Sequence, residues 1–281
     1  MKYVLVLICV LAVTNVLAQG GKKSAKPFVL GLVDELYSSS LDENRVLNIY
    51  LPEGYDKNDS SSYPVVYLLD GSAEEDFIHV VGLYQFNSFP WIDQVPKSII
   101  VGISNIDRKR DFTFPSSSEE DKLLLPTSGG SKEFRDFLTL ELQPFIQQKY
   151  RGKQGGTLIG QSLGGLVVTE ILLKSPEYFD RFIIISPSIW WDNGSILEYS
   201  TALLQDSDSK NIYIGTGKEG FSPGKIERLM EEDAQLLSER LKQIGNEKLD
   251  VFFDYMPDEN HATVTHQAVF NALRIIHTGT K

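Results

Sequence analysis

The chain is expected to fold as a single α/β domain around a mostly parallel sheet, and three observations carry that expectation. Short apolar runs rich in β-branched residues recur along the 281 residues, interleaved with segments of helical period. Two of these runs, Val65-Val66-Tyr67-Leu68-Leu69 and Ile99-Ile100-Val101, show no apolar/polar alternation, as strands covered on both faces do. A chain of this length with 42% hydrophobic and 23% charged residues can also close one core by itself; it shows no internal repeat and no dividing linker.

Residues 1–18, MKYVLVLICVLAVTNVLA, carry one early cation, Lys2, an apolar run from Tyr3 to Val13, and Val16-Leu17-Ala18 before Gln19. This is the pattern of a secretory signal peptide cut after Ala18, too short in its apolar part for a membrane span. The sole cysteine, Cys9, lies inside it, so the mature chain is expected to have neither thiol nor disulfide. Export to a bacterial periplasm fits this better than a eukaryotic secretory route, where small domains often use disulfides. Removing Lys2 with the leader moves the formal charge from −11 to about −12. A surface with that excess argues against nucleic acid and anionic membranes as partners.

Residues 19–26 read as a short flexible lead, and 27–281 as the domain. Strands are expected at Arg45–Leu51, Tyr63–Leu69, Ser98–Ile103, Thr157–Ile159, Phe182–Ile185, Asn211–Ile214 and Leu249–Tyr255. Ser131–Tyr150 carries Phe134, Phe137, Leu138, Leu142, Phe145 and Ile146 at helical spacing, with Pro144 expected to bend its last turns. Further helices are expected over Leu163–Lys174, from Ser222-Pro223 to Gly245, and over Val264–Ile276. Asp107 to Gly130, rich in Ser, Pro and charge, is the longest stretch without period, as functional or mobile segments often are.

Gly160-Gln161-Ser162-Leu163-Gly164 is the one G-x-S-x-G pattern, and it falls between a predicted strand and a predicted helix. That is the setting of the nucleophile elbow of the α/β-hydrolase fold. A serine there sits on a sharp turn, and the flanking glycines remove side chains that would collide. The N–H of Leu163, at the helix N-terminus, then faces a developing oxyanion.

A serine hydroxyl needs a general base, and histidine is suited to that near neutrality. In this fold the chain order is serine, acid, histidine. That disfavours His79 and leaves His261, His266 and His277, of which His261 follows the last predicted strand in a loop at the carboxyl edge of the sheet. Glu219, in the loop after strand Asn211–Ile214, is the preferred acid, where it would hold the imidazole tautomer. Asp192, after the strand ending near Ile185, is the alternative. Leu68-Leu69-Asp70-Gly71-Ser72 offers a second oxyanion donor, with the N–H of Ser72 the candidate.

Taken together, Gly160-Gln161-Ser162-Leu163-Gly164-Gly165, Tyr67-Leu68-Leu69-Asp70-Gly71, Val101-Gly102-Ile103-Ser104-Asn105 with Arg108, Asp111 and Thr113, Ser186-Pro187-Ser188-Ile189-Trp190-Trp191, and Glu259-Asn260-His261 resemble an esterase family of α/β-hydrolases. That family includes siderophore (enterochelin-type) esterases, esterase D-like enzymes, feruloyl esterases and mycolyltransferases, and the likeness is greatest to the siderophore-esterase branch. It runs from about Leu47 to Ile276. The resemblance implies ester hydrolysis without metal or cofactor, places the family's nucleophile on Ser162 and its histidine on His261, and leaves the acid open, since some members of such families work with a Ser-His pair.

Two features bear on substrate. Arg108-Lys109-Arg110 is a basic cluster in an acidic chain and could hold an anionic group, Arg108 being the candidate contact. Trp190 and Trp191 follow a strand end at the same sheet edge, where an aromatic wall could stack on a sugar or aromatic acid. The expected partner is therefore a small-molecule or saccharide-linked ester, bulky and polar or anionic. An acyltransferase of the same fold, and a ligand-binding protein that keeps the fold without catalysis, are the rival readings.

Overall fold

The computed structural model describes residues 25–58, 61–223 and 227–276. The expected signal peptide, with Cys9 and the expected cleavage position at Ala18, lies outside them. Residues 25–30 carry no regular secondary structure, and the folded unit begins at Gly31.

Eight strands form one sheet: β1 (Leu32–Ser38), β2 (Glu43–Tyr50), β3 (Val65–Leu68), β4 (Ile99–Ile103), β5 (Thr157–Gln161), β6 (Arg181–Ile185), β7 (Lys210–Gly217) and β8 (Leu249–Met256). Their order across the sheet is β1-β2-β4-β3-β5-β6-β7-β8. The β1–β2 and β2–β4 pairs are antiparallel and the remaining pairs parallel. Helices α1 (Phe77–Asn87), α2 (Arg108–Asp111), α3 (Glu119–Leu124), α4 (Ser131–Asp136), α5 (Gln143–Tyr150), α6 (Leu163–Lys174), α7 (Ala202–Gln205), α8 (Met230–Lys242) and α9 (Val264–Ile276) lie between and around the strands. The chain has the α/β-hydrolase fold, with β3, β4, β5 and β6 almost fully buried, as the unbroken apolar runs of β3 and β4 require.

Register places the site. Gln161 of β5 lies opposite Ile185 of β6, which lies opposite Gly215 of β7, and Gly217 of β7 lies opposite Met256 of β8. The parallel strands therefore end together, and the segments carrying Ser162, Ser186, Glu219 and His261 leave the sheet at one edge.

Besides the short helices α2, α3 and α7, which have no counterpart in the sequence reading, four elements depart from the sequence expectation. Strand β1, unread in the sequence, is an edge strand paired only with β2 and mostly solvated, so it lacks the apolar signature of its neighbours. Helix α1 also went unread; its buried residues Phe77, Val80, Val81 and Tyr84 are interrupted by an exposed Ile78 and Phe86. The Ser131–Tyr150 helix is divided by a π-helical turn at Phe137–Leu142, and Pro144 falls in the first turn of α5. Leu142 and Gln143 keep helical geometry across the junction, so Pro144 follows directly on the π-helical turn, where the hydrogen-bond ladder is already irregular. The fourth departure is the helix expected from Ser222, which begins instead at Met230. The N–H of Ser222 bonds the carbonyl of Arg228 at 2.9 Å, and Phe221 pairs with Leu229 in an isolated antiparallel bridge. This pairing precedes α8, and Glu231, Glu232 and Asp233 then occupy the helix's positive end.

The irregular stretch from Asp107 is held by a buried ionic cluster. Arg45 on β2 and Asp111 on α2 are both fully buried, with Nη1 of Arg45 2.7 Å from Asp111 Oδ2 and 2.8 Å from Glu43 Oε1. Arg110 joins the same carboxylates at 2.6 Å to Glu43 and 2.7 Å to Asp111. The Arg45 guanidinium is flanked by the rings of Phe134 and Phe137, 5.5 and 5.6 Å away. Arg45→Met is expected to destabilise the fold by about 3–5 kcal/mol in urea denaturation, because it strips the interior carboxylate of its fully buried partner. A loss below about 1 kcal/mol would show that Arg110 alone neutralises Asp111.

Candidate active site

The turn between β5 and α6 is built around a strained serine. Ser162 has φ 59° and ψ −119°, outside the regions L-residues ordinarily occupy. Of the two glycines flanking the serine only Gly160 is sterically required: a Cβ there would lie 2.5 Å from the carbonyl oxygen of Gly164, whereas one on Gly164 would come no closer than 3.4 Å to Asp70. The second tight position is Gly165, where a Cβ would lie 2.8 Å from the carbonyl oxygen of Ile185. The backbone of Ser162 is pinned by its N–H to the carbonyl of Ile185 at 3.0 Å and by the Ser188 N–H to its own carbonyl at 3.0 Å. Leu163 is the first residue of α6, so its N–H belongs to the helix's unpaired first turn.

A continuous hydrogen-bond chain runs from Ser162. Its Oγ lies 3.1 Å from Nε2 of His261, and Nδ1 of His261 lies 2.7 Å from Oε2 of Glu219. A carboxylate can only accept, so Nδ1 carries the ring proton and Nε2 presents its lone pair to the serine. The carboxyl group of Glu219 is 1% exposed, whereas the His261 side chain is 43% exposed. Oε1 of Glu219 accepts a very short hydrogen bond from Ser186 Oγ and longer ones from Thr216 Oγ1 and the Gly217 N–H at 3.5 and 3.4 Å. Every oxygen of the buried acid is thus occupied, which fixes its plane.

The histidine loop is tied down independently. The Lys218 N–H bonds the Glu259 carbonyl at 2.8 Å, joining the loops that follow β7 and β8. Asn260 Oδ1 accepts from the Ala262 N–H at 2.9 Å, and the Asn260 N–H donates to Thr263 Oγ1 at 3.1 Å, so the turn into α9 is closed on both sides of His261. Gln161 Nε2 donates to the His261 carbonyl at 3.1 Å and lies 3.3 Å from its Nε2.

Asp192, the alternative acid, stands elsewhere. It accepts from Ser116 Oγ, Ser117 N–H and Oγ, and Ser195 Oγ at 3.0, 2.6, 2.7 and 2.6 Å, in a left-handed turn with Asn193 and Gly194. Partial burial would raise its pKa, but these hydrogen bonds outweigh it and hold the carboxyl below its ordinary value. Its hydrogen bonds fasten the loop after β6 to the segment before α3. Of the other histidines, His266 bonds Asp76 at 3.0 Å and stacks on His79 with ring centroids 3.6 Å apart, and His277 lies outside the described residues.

A cavity of about 340 Å³ opens beside Ser162, lined by Arg108, Leu124, Leu125, Leu163, Ser188, Trp190, Pro223, Met230 and His261. Trp190 therefore forms part of its wall. Trp191 does not: it is fully buried, its Nε1 donates to the Phe114 carbonyl at 2.8 Å, and it packs edge-on against Trp190, so it serves the core. The basic cluster also separates. Arg108 faces the cavity, Arg110 turns to Glu43 and Asp111, and Lys109 is exposed. Ser72 is not among the cavity's lining residues, and its N–H points to the Glu75 carboxylate at 3.4 Å.

Three contacts of the site had no reading in the sequence: Ser186 on Glu219, Ser188 Oγ 3.2 Å from Ser162 Oγ, and Gln161 on His261. All lie in or beside motifs already noted, but which side chain faces which is set by the sheet. Ser186 has φ 42°, a left-handed kink directly after β6, and that kink carries its hydroxyl to Glu219.

The sequence matches the family described as Putative esterase over residues 38–261. It is 29% identical to the ferri-bacillibactin esterase BesA of Bacillus subtilis (strain 168), over 91% of this chain and 92% of that protein. Among solved structures, an IroE-like serine hydrolase from Shewanella oneidensis is 32% identical with a TM-score of 0.76, covering 88% of this chain and 80% of the other. The BES protein of Bacillus cereus is 29% identical with a TM-score of 0.78, covering 91% of this chain and 99% of the other.

Proposed function

This chain belongs to the Putative esterase family and is a carboxylic ester hydrolase, and we propose that it works through an acyl-enzyme on Ser162, with His261 as general base and Glu219 as its acid partner. The observation that carries the reading is the unbroken chain Ser162 Oγ, His261 Nε2, His261 Nδ1, Glu219 Oε2, at 3.1 and 2.7 Å.

As Ser162 Oγ attacks the ester carbonyl, its proton passes to His261 Nε2, and the imidazolium so formed is stabilised by the buried Glu219 carboxylate. The carbonyl oxygen becomes an oxyanion, met by the Leu163 N–H at the positive end of α6. His261 returns the proton to the leaving alcohol as the C–O bond breaks. Water, deprotonated by the same histidine, then attacks the acyl-serine and releases the acid. Ser72 remains the candidate second donor if its N–H, held only by a long bond to Glu75, turns to the oxyanion. The substrate is a siderophore-type ester, a reading supported by the activity named for the Bacillus subtilis relative. The site of action is extracellular or periplasmic, as the leader at residues 1–18 suggests.

A fluorophosphonate probe is expected to label the folded protein once, on Ser162, as read by peptide mass spectrometry. The same treatment should block release of acid from an enterobactin-like trilactone. Labelling elsewhere, or unimpaired hydrolysis after labelling, would remove the acyl-enzyme reading.

A further inference from the structure

Resting on the ester hydrolysis proposed above, we propose that the acyl group entering the cavity beside Ser162 is uncharged and largely apolar or aromatic, and that the Arg108–Asp70 pair sets this preference. The cavity invites the opposite conclusion at first sight, because Arg108 is the one lysine or arginine among its described lining residues. Its charge, however, is already spoken for. Arg108 Nε lies 2.6 Å from Asp70 Oδ1 and Nη2 lies 2.8 Å from Asp70 Oδ2, a two-pronged ion pair. Nη2 also donates to the Gln161 carbonyl at 3.1 Å, and the guanidinium lies 5.3 Å from the Phe112 ring centroid. Only Nη1 is left without a hydrogen-bond partner among the described residues.

Asp70 is as firmly held as its partner. It follows β3 with φ 51°, its Oδ1 also accepts from Asn105 Nδ2 at 2.6 Å, and its Oδ2 would lie 3.4 Å from a Cβ on Gly164 of the nucleophile turn. A carboxylate thus stands close behind the one lysine or arginine among the cavity's described lining residues. An anionic acyl group could gain a hydrogen bond from Nη1, but it would meet a neutral ion pair instead of a net positive charge.

Beyond Ser162, Ser188 and His261, the remaining described walls give such a group little in return. Leu124, Leu125, Leu163, Trp190, Pro223 and Met230 offer no charge to offset the loss of its hydration. The chain as a whole carries −11, so the long-range field adds no attraction. An uncharged aliphatic or aromatic acyl group, in contrast, buries apolar surface against these six side chains at no such cost. Any anionic part of a larger ester then stays outside the cavity.

The test compares two esters matched in length, p-nitrophenyl butyrate and mono-p-nitrophenyl succinate, which differ by a terminal carboxylate. The folded wild-type enzyme is expected to favour the butyrate in kcat/KM by about tenfold or more. In Asp70→Asn the guanidinium keeps its place beside an isosteric amide but loses the opposing charge, and asparagine tolerates the left-handed backbone. The ratio should fall by about tenfold or invert, with circular dichroism confirming the fold. Arg108→Gln leaves the Asp70 carboxylate unopposed and should widen the ratio, which keeps the test decisive should Asp70→Asn misfold. Equal or better use of the succinate by the wild type overturns the proposal, as does a ratio unmoved in both variants. Turnover of neither ester by the wild type would instead overturn the hydrolysis on which it rests.

Discussion

Ser162→Ala is expected to lower kcat on a chromogenic short-chain ester by roughly 10⁴-fold or more while the protein stays folded. The loss follows from removing the atom that forms the covalent bond; binding in the cavity and the Leu163 N–H remain, so a small residual rate over the uncatalysed reaction should persist. The fold should tolerate the change because Ser162 is anchored by its backbone, through Ile185 and Ser188. Among the described residues its hydroxyl hydrogen-bonds only His261 Nε2 and Ser188 Oγ, at 3.1 and 3.2 Å. Steady-state kinetics with a thermal melt separates the two effects. Activity within tenfold of wild type would exclude Ser162 as nucleophile, and Ser188, the other hydroxyl in the cavity, would be the next to test.

The second large effect is expected at Glu219. Glu219→Gln keeps the shape but replaces an acceptor by an amide whose nitrogen can face His261 Nδ1. The ring then loses the group that fixes its tautomer and stabilises its cation, and kcat should fall by about 10²–10⁴-fold with KM little changed. Asp192→Asn is the informative partner. It should leave kcat within a few-fold of wild type yet cost about 1–3 kcal/mol of stability, since Asp192 gathers hydrogen bonds from Ser116, Ser117 and Ser195 and touches neither His261 nor Ser162. The reverse ranking of kcat would move the acid's role to Asp192. Equal, small effects in both would leave a Ser-His pair as the working machinery.

Much of this was legible in the chain, for reasons that are local. Val65–Leu68 and Ile99–Ile103 read as buried strands because burial on both faces leaves no polar alternation. The G-x-S-x-G turn read as an elbow because Gly160 answers a steric demand within a few residues: a Cβ there would abut the Gly164 carbonyl. One on Gly164, in contrast, would meet nothing closer than 3.4 Å, and the close neighbour of Gly165, Ile185, comes from the adjacent strand. His261 followed from chain order and from its place after the last strand. Where local signals misled, the cause was tertiary. Ile226, Leu229 and Met230 keep a helical spacing, yet Ser222 and Phe221 reach across to Arg228 and Leu229, and α8 starts only after that pairing ends. The tryptophan pair looked like one aromatic wall, but a short helical turn sends Trp190 to the cavity and Trp191 into the core.

The charged residues mark the same boundary. Arg108-Lys109-Arg110 is a run of three cations in the sequence, and its composition suggests anion binding. In the fold, Asp70, 38 residues earlier, and Glu43, 67 residues before Arg110, meet two of the three. By itself the sequence determined the α/β fold, the strained serine and the histidine that follows the last strand, because strand burial, glycine sterics and chain order are properties of neighbouring residues. Only the tertiary structure decided which carboxylate faces His261, which tryptophan lines the cavity and what remains of Arg108's charge. Those outcomes depend on which side chains the strand register brings within a few ångströms of one another, and no local pattern encodes that.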